Sequence, residues 1–203
     1  MQGTLFVVSA PSGAGKTSLV KALVESTPGL DVSVSHTTRP QRPGEENGVN
    51  YHFVSKDTFA QMLNDNAFLE NAEVFGNLYG TSKASVQEQL DAGTDVILEI
   101  DWQGAEQIRR QLPESVSVFI LPPSKSVLRE RLDGRGQDSE SVIQGRMDQA
   151  AEQISHHVEF DYLIINDDFD VALNELRALI HSQRLTCRNQ CERHRELIAS
   201  LLS

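Results

Sequence analysis

Short apolar runs alternate with helix-like stretches along most of this chain. The runs are rich in β-branched residues and cover 4–9, 96–100, 116–121 and 162–165. Helical spacing of apolar residues follows Gly15 and recurs near 103–112, 124–133, 139–155 and 170–202, the last with at most one break. Strands that alternate with helices predict a parallel sheet with crossover helices, and therefore an α/β fold.

The segment from about 35 to 90 interrupts this alternation. Its apolar runs at 51–54 and 68–75 predict strands of a mixed or antiparallel insert. A length of 203 residues suits one core with an inserted subdomain. Ser124 is expected to cap the helix that follows it, and Gly93 to end a helix that begins near Lys83. The expected parts are a core in 1–34, 94–126 and 156–203, an insert in 35–93 and a helical lid in 127–155.

Composition narrows the class of protein. Hydrophobic residues make up 39% and charged residues 23%, as in ordinary globular domains. The formal net charge of -11 argues against a general affinity for nucleic acids or anionic membranes. No apolar run reaches the ~18 residues of a membrane span, and the start lacks a signal-peptide pattern. We therefore expect a cytoplasmic protein with no nucleic-acid or membrane partner, and a homo-oligomer stays open.

The strongest motif is a glycine-rich loop between the first predicted strand and helix. Residues 9–17 have the sequence S-A-P-S-G-A-G-K-T, which fits the phosphate-loop pattern of A or G, four residues, then G-K and S or T. Backbone N–H groups of such a loop converge on phosphate oxygens. Lys16 would reach the β and γ phosphates, and the Thr17 hydroxyl would bind Mg²⁺. The predicted loop residues are Ala10, Pro11, Ser12, Gly13, Ala14, Gly15, Lys16 and Thr17.

Two points about this loop stay open in the sequence. The alternative to phosphate binding is an ordinary turn before a helix, with Lys16 as a solvated charge. Ala10 stands where many phosphate loops have glycine, and a left-handed conformation would cost an alanine about 1 to 2 kcal/mol. Gly13 and Gly15 are therefore expected to take any left-handed backbone angles.

Two acidic residues end the apolar run at 95–101, D-V-I-L-E-I-D. Glu99 and Asp101 would share one face of the strand at its C-terminal end. A buried carboxylate is costly unless it is paired or bound, and ligands of doubly wound sheets bind at this end of the strands. The pattern favours a binding role. The alternative is a strand that stops at Leu98, with both acids in solvent.

Two groups of arginines offer the local positive charge that a polyanionic ligand needs. Arg39 and Arg42 lie beside hydroxyl residues in S-H-T-T-R-P-Q-R-P, with Tyr51 following, and arginine forks suit bidentate phosphate contacts. The second group surrounds a G-R-G segment between two predicted helices, which suggests a movable lid. Either group could instead be a solvated basic surface. The lid group comprises Arg131, Arg135 and Arg146.

These motifs, with others in the same order, resemble the guanylate kinase family over essentially the whole chain. The matching segments include V-S-H-T-T-R-P-Q-R-P-G-E from Val34, Y-H-F-V from Tyr51, F-L-E from Phe68, G-N-L-Y-G-T from Gly76, L-E-I-D-W-Q-G from Leu98, R-L-D-G-R-G from Arg131 and N-D-D from Asn166. The resemblance implies a phosphate-loop nucleoside-monophosphate kinase with a three-layer core, a GMP-binding insert and an arginine-bearing lid. It also implies phosphoryl transfer from ATP to GMP and dGMP with Mg²⁺, in purine nucleotide metabolism.

The resemblance also implies roles for individual residues. Contacts to the GMP phosphate would fall on Ser35, Arg39, Arg42, Tyr51 and Tyr79, and contacts to guanine on Glu70, Thr81 and Asp101. Besides the loop, ATP contacts would fall on Arg131, Arg135 and Asn166. The catalytic charges would be Lys16, Arg39, Arg131, Arg135 and Arg146. His36 and Glu99 depart from the family pattern, which would suit a small hydroxyl residue and an aspartate.

Two other functions stay open at this point. A non-catalytic guanylate-kinase-like module that binds proteins would be expected to lose the phosphate-loop residues, whereas Gly15, Lys16 and Thr17 are present. A kinase of another phosphorylated acceptor on the same scaffold would have no use for a guanine-binding carboxylate such as Glu70. Rates with different nucleoside monophosphates would distinguish these functions.

Overall fold

Strands and helices alternate along the chain in two sheets. The computed structural model describes residues 2–74, 76–134 and 140–203, and only the backbone of 140–142. Phe75, the end of a predicted strand, and the lid residue Arg135 lie outside the described residues. In chain order, the elements are β1 (Leu5–Ser9), α1 (Lys16–Ser26), β2 (Leu30–Val32), β3 (His36–Thr37), β4 (His52–Phe53), α2 (Lys56–Asn64), β5 (Phe68–Val74), β6 (Asn77–Ser82), α3 (Lys83–Asp91), β7 (Asp95–Glu99), α4 (Trp102–Gln111), β8 (Val116–Leu121), α5 (Lys125–Asp133), α6 (Glu140–Ser155), a 3-10 turn (His156–Glu159), β9 (Tyr162–Ile165), α7 (Phe169–Arg184), α8 (Cys187–Arg193) and α9 (Arg195–Leu202).

A five-stranded sheet in the order β2-β7-β1-β8-β9 forms the core, and all its strand pairs are parallel. Every residue of the central strand β1 is buried, because helices cover both faces of the sheet. Phe6 and Val8 pack on one face with residues of α1 and α7. Val7 packs on the other face with residues of α3 and α4. The predicted α/β fold with a three-layer core is confirmed.

A four-stranded mixed sheet in the order β4-β3-β6-β5 lies within the segment that interrupts the alternation. β5 and β6 form an antiparallel pair, while β3 and β4 are parallel. Phe59 of α2 stacks on Phe68 of β5 with ring centroids 4.5 Å apart, which holds the helix against this sheet. A Cβ at Gly80 would lie only 2.8 Å from the Phe68 ring, so the close contact between β5 and β6 requires glycine there. The prediction of a mixed sheet in this segment is confirmed.

The helix ends follow the predicted signals except near the C-terminus. The Ser124 hydroxyl accepts the Val127 N–H at 3.1 Å and caps α5, and Gly93, with φ 81°, follows the end of α3. The prediction of at most one break after residue 170 is wrong, since α7, α8 and α9 are separated by two breaks. Thr186 starts α8 by accepting the Asn189 N–H, and the backbone leaves helical geometry again at His194. Within the described ranges, no helix is long and apolar enough to cross a membrane.

Candidate active site

The phosphate loop connects β1 to α1 at the C-terminal end of the parallel strands. Gly13 and Gly15 have φ angles of 92° and 95°. Among the described residues other than glycine, only Asn66 has a positive φ. The expectation that these two glycines, and not Ala10, take the left-handed angles is therefore confirmed. Gly15 is required for a second reason, because its Cβ would lie 2.3 Å from the Asn166 side-chain nitrogen.

The two polar side chains that begin α1 are tied to the end of β7 and the residue after it. Lys16 Nζ donates to the Ile100 carbonyl at 3.1 Å, and the Thr17 hydroxyl donates to Glu99 Oε2 at 3.0 Å. Burial lowers the pKa of Lys16, and the nearby carboxylates of Glu99, Asp101 and Glu70 oppose that shift. The cation therefore lies among acidic groups, close to where a nucleotide's phosphates would bind.

The prediction that Glu99 and Asp101 share one face of a strand is wrong. β7 ends at Glu99, and Asp101 instead caps α4, where its Oδ1 accepts the Gly104 N–H at 3.0 Å. Its Oδ2 accepts from the Gln103 side chain, also at 3.0 Å. Aspartate is a favoured N-cap because its carboxylate satisfies a free N–H group of the first helical turn. Glu99 thus faces the phosphate loop, while Asp101 directs the start of α4.

Glu70 is a buried carboxylate at the start of β5. Only 2% of the residue is exposed, and its Oε1 accepts the Thr81 hydroxyl of β6 at 2.5 Å. Burial raises the pKa of Glu70 to about 7, and the charge of Asp101 adds to the shift while Thr81 and Lys16 oppose it. A Cβ at Gly104 would lie 2.5 Å from Glu70 Oε2, so the first turn of α4 leaves room for this carboxylate.

Ser35 lies in the same buried network, and the structure does not place it in the arginine cluster with which it was expected to bind a phosphate. Its hydroxyl is 3.1 Å from the Thr81 hydroxyl, and since Thr81 donates to Glu70, Ser35 is the donor to Thr81. The cause is strand register: His36 pairs with Gly80 across β3 and β6, which brings the preceding residue next to Thr81. Ser35, Thr81 and Glu70 therefore form one hydrogen-bonded chain.

Arg39 is held in an aromatic and acidic setting. Its guanidinium donates to Glu45 Oε1 at 2.8 Å, and its side chain is 10% exposed. The guanidinium carbon lies 5.4 Å from the centroid of the Tyr51 ring and 5.6 Å from that of Phe53. Burial lowers the pKa of Arg39, but the hydrogen bond and charge of Glu45, together with Tyr79, outweigh that effect and raise the pKa. Glu45 therefore orients this arginine as a fixed cation.

The remaining predicted phosphate-binding residues surround Arg39. The Tyr51 and Tyr79 rings meet edge to face with centroids 5.9 Å apart. Burial, with the charge of Glu99, raises the pKa of Tyr51 to about 12, so its hydroxyl is a donor at neutral pH. Arg42 is exposed, and its backbone N–H donates to Glu45 Oε2 at 2.8 Å. The structure thus brings Arg39, Tyr51 and Tyr79 together and links Arg42 to them through Glu45.

The predicted lid helices touch the phosphate loop at several points. Arg131 of α5 donates to the Asn166 carbonyl at 3.0 Å and lies 3.4 Å from the Ala14 carbonyl. Asn166 donates to the Ala14 carbonyl at 2.7 Å through Nδ2, while its buried Oδ1 has no partner among the described residues. Gln153 of α6 accepts the Ser12 N–H at 3.3 Å. Arg146 is half-buried on α6.

Three residues of this site were missed in the sequence. Glu45 ends the R-P-G-E segment and could have been suspected as the partner of two nearby arginines. Gly104 lies inside a helical stretch, where an isolated glycine usually has a packing reason. Gln153 carried no signal, since its contact joins residues 141 positions apart.

The arrangement defines a class of protein. A phosphate loop at the C-terminal end of a parallel sheet faces a second sheet that presents an arginine–tyrosine cluster and a buried carboxylate. A loop for nucleotide phosphates beside an anion-binding second site is the site of a phosphoryl-transfer enzyme, a phosphate-loop kinase.

Comparisons with known proteins identify the family. The guanylate kinase family model matches residues 2–183. The guanylate kinase of Saccharophagus degradans is 62% identical over 201 residues, covering 99% of this chain and 98% of that protein. The guanylate kinase of Escherichia coli K12 is 57% identical over 204 residues, covering 100% and 99%. A crystal structure of guanylate kinase from Anaplasma phagocytophilum matches with a TM-score of 0.77 and 32% identity, over 92% of this chain and 88% of that one. The chain belongs to the guanylate kinase family.

Proposed function

We propose that this protein transfers the γ-phosphoryl group of ATP to GMP, and to dGMP, giving ADP and GDP or dGDP. The observation that carries the proposal is the buried carboxylate of Glu70. The Thr81 hydroxyl donates to this carboxylate, and Ser35 in turn is hydrogen-bonded to Thr81. Guanine presents two adjacent donors, N1–H and the N2 amino group, that one carboxylate can accept. Adenine presents an acceptor at N1, and a site built for a donor can reject such an analogue by about 10⁴.

We propose two parts for the acceptor site. Guanine would be bound by Glu70, Thr81 and Asp101, with Ser35 supporting them through its bond to Thr81. The GMP phosphate would be bound by the cluster of Arg39, Arg42, Tyr51 and Tyr79. The two guanidinium groups and the two phenol O–H groups can all donate hydrogen bonds, which suits a phosphate dianion.

The donor nucleotide would bind on the other side of the site. Its phosphates would lie in the loop of residues 10–17, with Lys16 at the β and γ phosphates. The unpartnered Oδ1 of Asn166 supports that residue as a contact of the donor nucleotide, since a buried polar atom requires a partner. Arg131, already in contact with the loop, would add positive charge there, as would Arg135 and Arg146.

Thr17, at the start of α1, and Glu99, at the end of β7, fit a magnesium ion. Within the described residues, no three His, Cys, Asp or Glu side chains are grouped to hold a metal on their own. Thr17 and Glu99, however, bring two hard oxygen atoms 3.0 Å apart at the loop, and Mg²⁺ commonly uses one or two protein ligands with phosphate oxygens and water. Bound there, Mg²⁺ would neutralise charge on the β and γ phosphates.

The proposed chemistry requires no general base. A GMP phosphate oxygen is already an anionic nucleophile, so the protein must align it with the γ phosphate and compensate the charge. Lys16 and Arg39 supply charge from opposite sides of the reaction. Arg131, Arg135 and Arg146 would complete the charge, and closure of the lid over the site would exclude water that otherwise hydrolyses ATP.

We further propose the division into core, GMP-binding insert 35–93 and lid 127–155. The strands of the mixed sheet all lie in the insert, and Val86 and Leu90 of α3 anchor its end to the core. We also propose a cytoplasmic enzyme whose partners are ATP and GMP, and the charge of -11 argues against nucleic acids and anionic membranes as partners.

The test is ADP formation by the purified protein with ATP, Mg²⁺ and each of GMP, dGMP, AMP, CMP and UMP. We expect rapid turnover with GMP and dGMP and at least about 10³-fold lower kcat/KM with the others. The variant Glu70→Gln should lose most of this preference. Equal rates with all acceptors would reject guanine recognition, and no turnover with any acceptor would favour a non-catalytic module.

A further inference from the structure

Trp102 and His156 form the closest aromatic stack in the described part of the molecule. Their ring centroids are 3.6 Å apart and the planes differ by 6°. Trp102 is the first residue of α4, directly after the capping residue Asp101, and His156 directly follows the end of α6. The stack therefore joins the beginning of one helix to the end of the other.

Three further contacts fix His156 on α4. Its Nδ1 lies 2.6 Å from Glu159 Oε1 in the 3-10 turn. Arg109, two turns along α4, donates to both the carboxylate and the carbonyl of Glu159, at 2.7 and 2.8 Å. The turn after α6 is thus clamped to α4 at two points, through Trp102 and through Arg109.

The two helices joined by this clamp serve opposite halves of the site. α6 carries Arg146 and Gln153, and Gln153 accepts the N–H of Ser12 in the phosphate loop. α4 begins at the Asp101 cap, and its Gly104 adjoins the Glu70 carboxylate. A shift at the clamp would therefore change the position of α6 relative to the guanine-binding carboxylate.

We propose that His156 is a positioning residue for phosphoryl transfer: by stacking on Trp102 it fixes the C-terminal end of α6, the helix that carries Arg146 and that contacts the phosphate loop through Gln153. The proposal rests on the proposed function. A phosphate oxygen that accepts the Ser12 N–H would replace Gln153 as its partner, so α6 would have to adjust when the nucleotide binds. In that movement, the Trp102–His156 stack would keep the C-terminal end of α6 in place while the rest of the helix changes position.

The experiment compares His156→Ala with His156→Phe, which keeps a flat ring on Trp102. His181→Ala, an exposed histidine on α7, is the matched control. We would measure kcat, the KM for ATP and for GMP, the thermal midpoint, and the fluorescence of Trp102 with and without substrates. Trp102 is the only tryptophan in the chain, so the tryptophan emission comes from this residue alone.

For His156→Ala we expect kcat to fall about tenfold, since small misplacements of positioned groups have large effects on rate. The KM for GMP should change less than twofold, and the Trp102 emission should change and lose its response to ATP. His156→Phe should restore kcat to within about twofold of the unsubstituted enzyme.

Two results would overturn the inference. The first is a wild-type kcat for His156→Ala, whether or not its thermal midpoint falls, and the second is no rescue of kcat by His156→Phe. Failure of the unsubstituted protein to phosphorylate GMP would reject the proposed function itself. The effects of the His156 variants test the positioning role only when the unsubstituted protein is active, so the two outcomes can be told apart.

Discussion

Lys16 is the residue at which the two substrates' charges would meet. Its ammonium group donates to the Ile100 carbonyl and lies near the carboxylates of Glu99, Asp101 and Glu70. We predict that Lys16→Ala lowers kcat about 10² to 10³-fold, because it removes a placed cation from the transferring phosphoryl group. The thermal midpoint should stay near that of the unsubstituted protein. Steady-state kinetics with saturating GMP checks the prediction, and a rate within threefold of normal would refute the role of Lys16.

Glu70 should make GMP binding depend on pH. In the proposed complex the guanine donors would require the ionised carboxylate, and burial raises the pKa of Glu70 to about 7 in the free protein. As pH falls below 7 the carboxyl group becomes protonated, so the KM for GMP should rise, approaching tenfold per pH unit. Above pH 8 the KM should be flat. Measurement of the KM for GMP from pH 5.5 to 8.5 checks the sign and the midpoint.

The GMP phosphate also takes up a proton, near pH 6, and must be separated from this effect. Glu70→Gln keeps the phosphate titration and removes the carboxyl group, so the difference between the two pH profiles belongs to Glu70. Parallel profiles, displaced only in KM, would show that Glu70 does not titrate in this range.

The first turn of helix α4, which Asp101 caps, lies against the Glu70 carboxylate. Alanine is normally about 1 kcal/mol better than glycine inside a helix. At Gly104, however, the added Cβ would lie 2.5 Å from Glu70 Oε2 and 3.3 Å from Ile100 Cβ. We predict that Gly104→Ala raises the KM for GMP at least about tenfold, because the carboxylate must move, and leaves the KM for ATP within twofold.

Gly145 in α6 provides the control for this substitution. A Cβ there would have no described atom within 4 Å, so Gly145→Ala should gain about 1 kcal/mol of unfolding free energy without a change in either KM. Equal kinetic effects of the two alanine substitutions would contradict the steric explanation.

The same elements show which parts of the structure the sequence can predict. β1, β8 and β9 are mostly apolar, with one serine each in β1 and β8, and the glycine-rich loop between β1 and α1 has a recognisable motif. β3 contains only two residues and exists through cross-strand pairing, so no local pattern predicted it, whereas the equally short β4 lies inside the predicted strand 51–54. Glu70 and Ser35 show the same limit, because their hydrogen-bonded chain with Thr81 joins different strands, and Ser35 and Thr81 are 46 positions apart. The family resemblance, and not a local sequence pattern, indicated Glu70 as a guanine contact.

The parallel sheet divides the molecule into a catalytic end and a stabilising end. The strands point toward the phosphate loop, and both substrates would bind past the ends of β1 and β7. At the opposite end, the Asp95 side chain accepts the Thr4 N–H and the Arg184 guanidinium, each at 2.7 Å. This ion pair joins the start of β7 to the last turn of α7. Because this ion pair lies at the opposite end of the sheet from the phosphate loop, we expect it to contribute to stability and not to catalysis.

Replacement of Arg184 tests this separation. The Asp95 and Arg184 side chains are 10% and 19% exposed, so Arg184→Ala leaves a nearly buried carboxylate without its cation. We predict a loss of about 3 kcal/mol of unfolding free energy, which lowers the thermal midpoint by roughly 6 to 12 °C, with kcat and both KM values unchanged. Arg188→Ala is the control, because its ion pair with Glu114 is exposed on the surface and should contribute little. Thermal unfolding and steady-state kinetics of both variants decide the matter. A fall in kcat without a change in the thermal midpoint of Arg184→Ala would show that the two ends of the sheet are not independent.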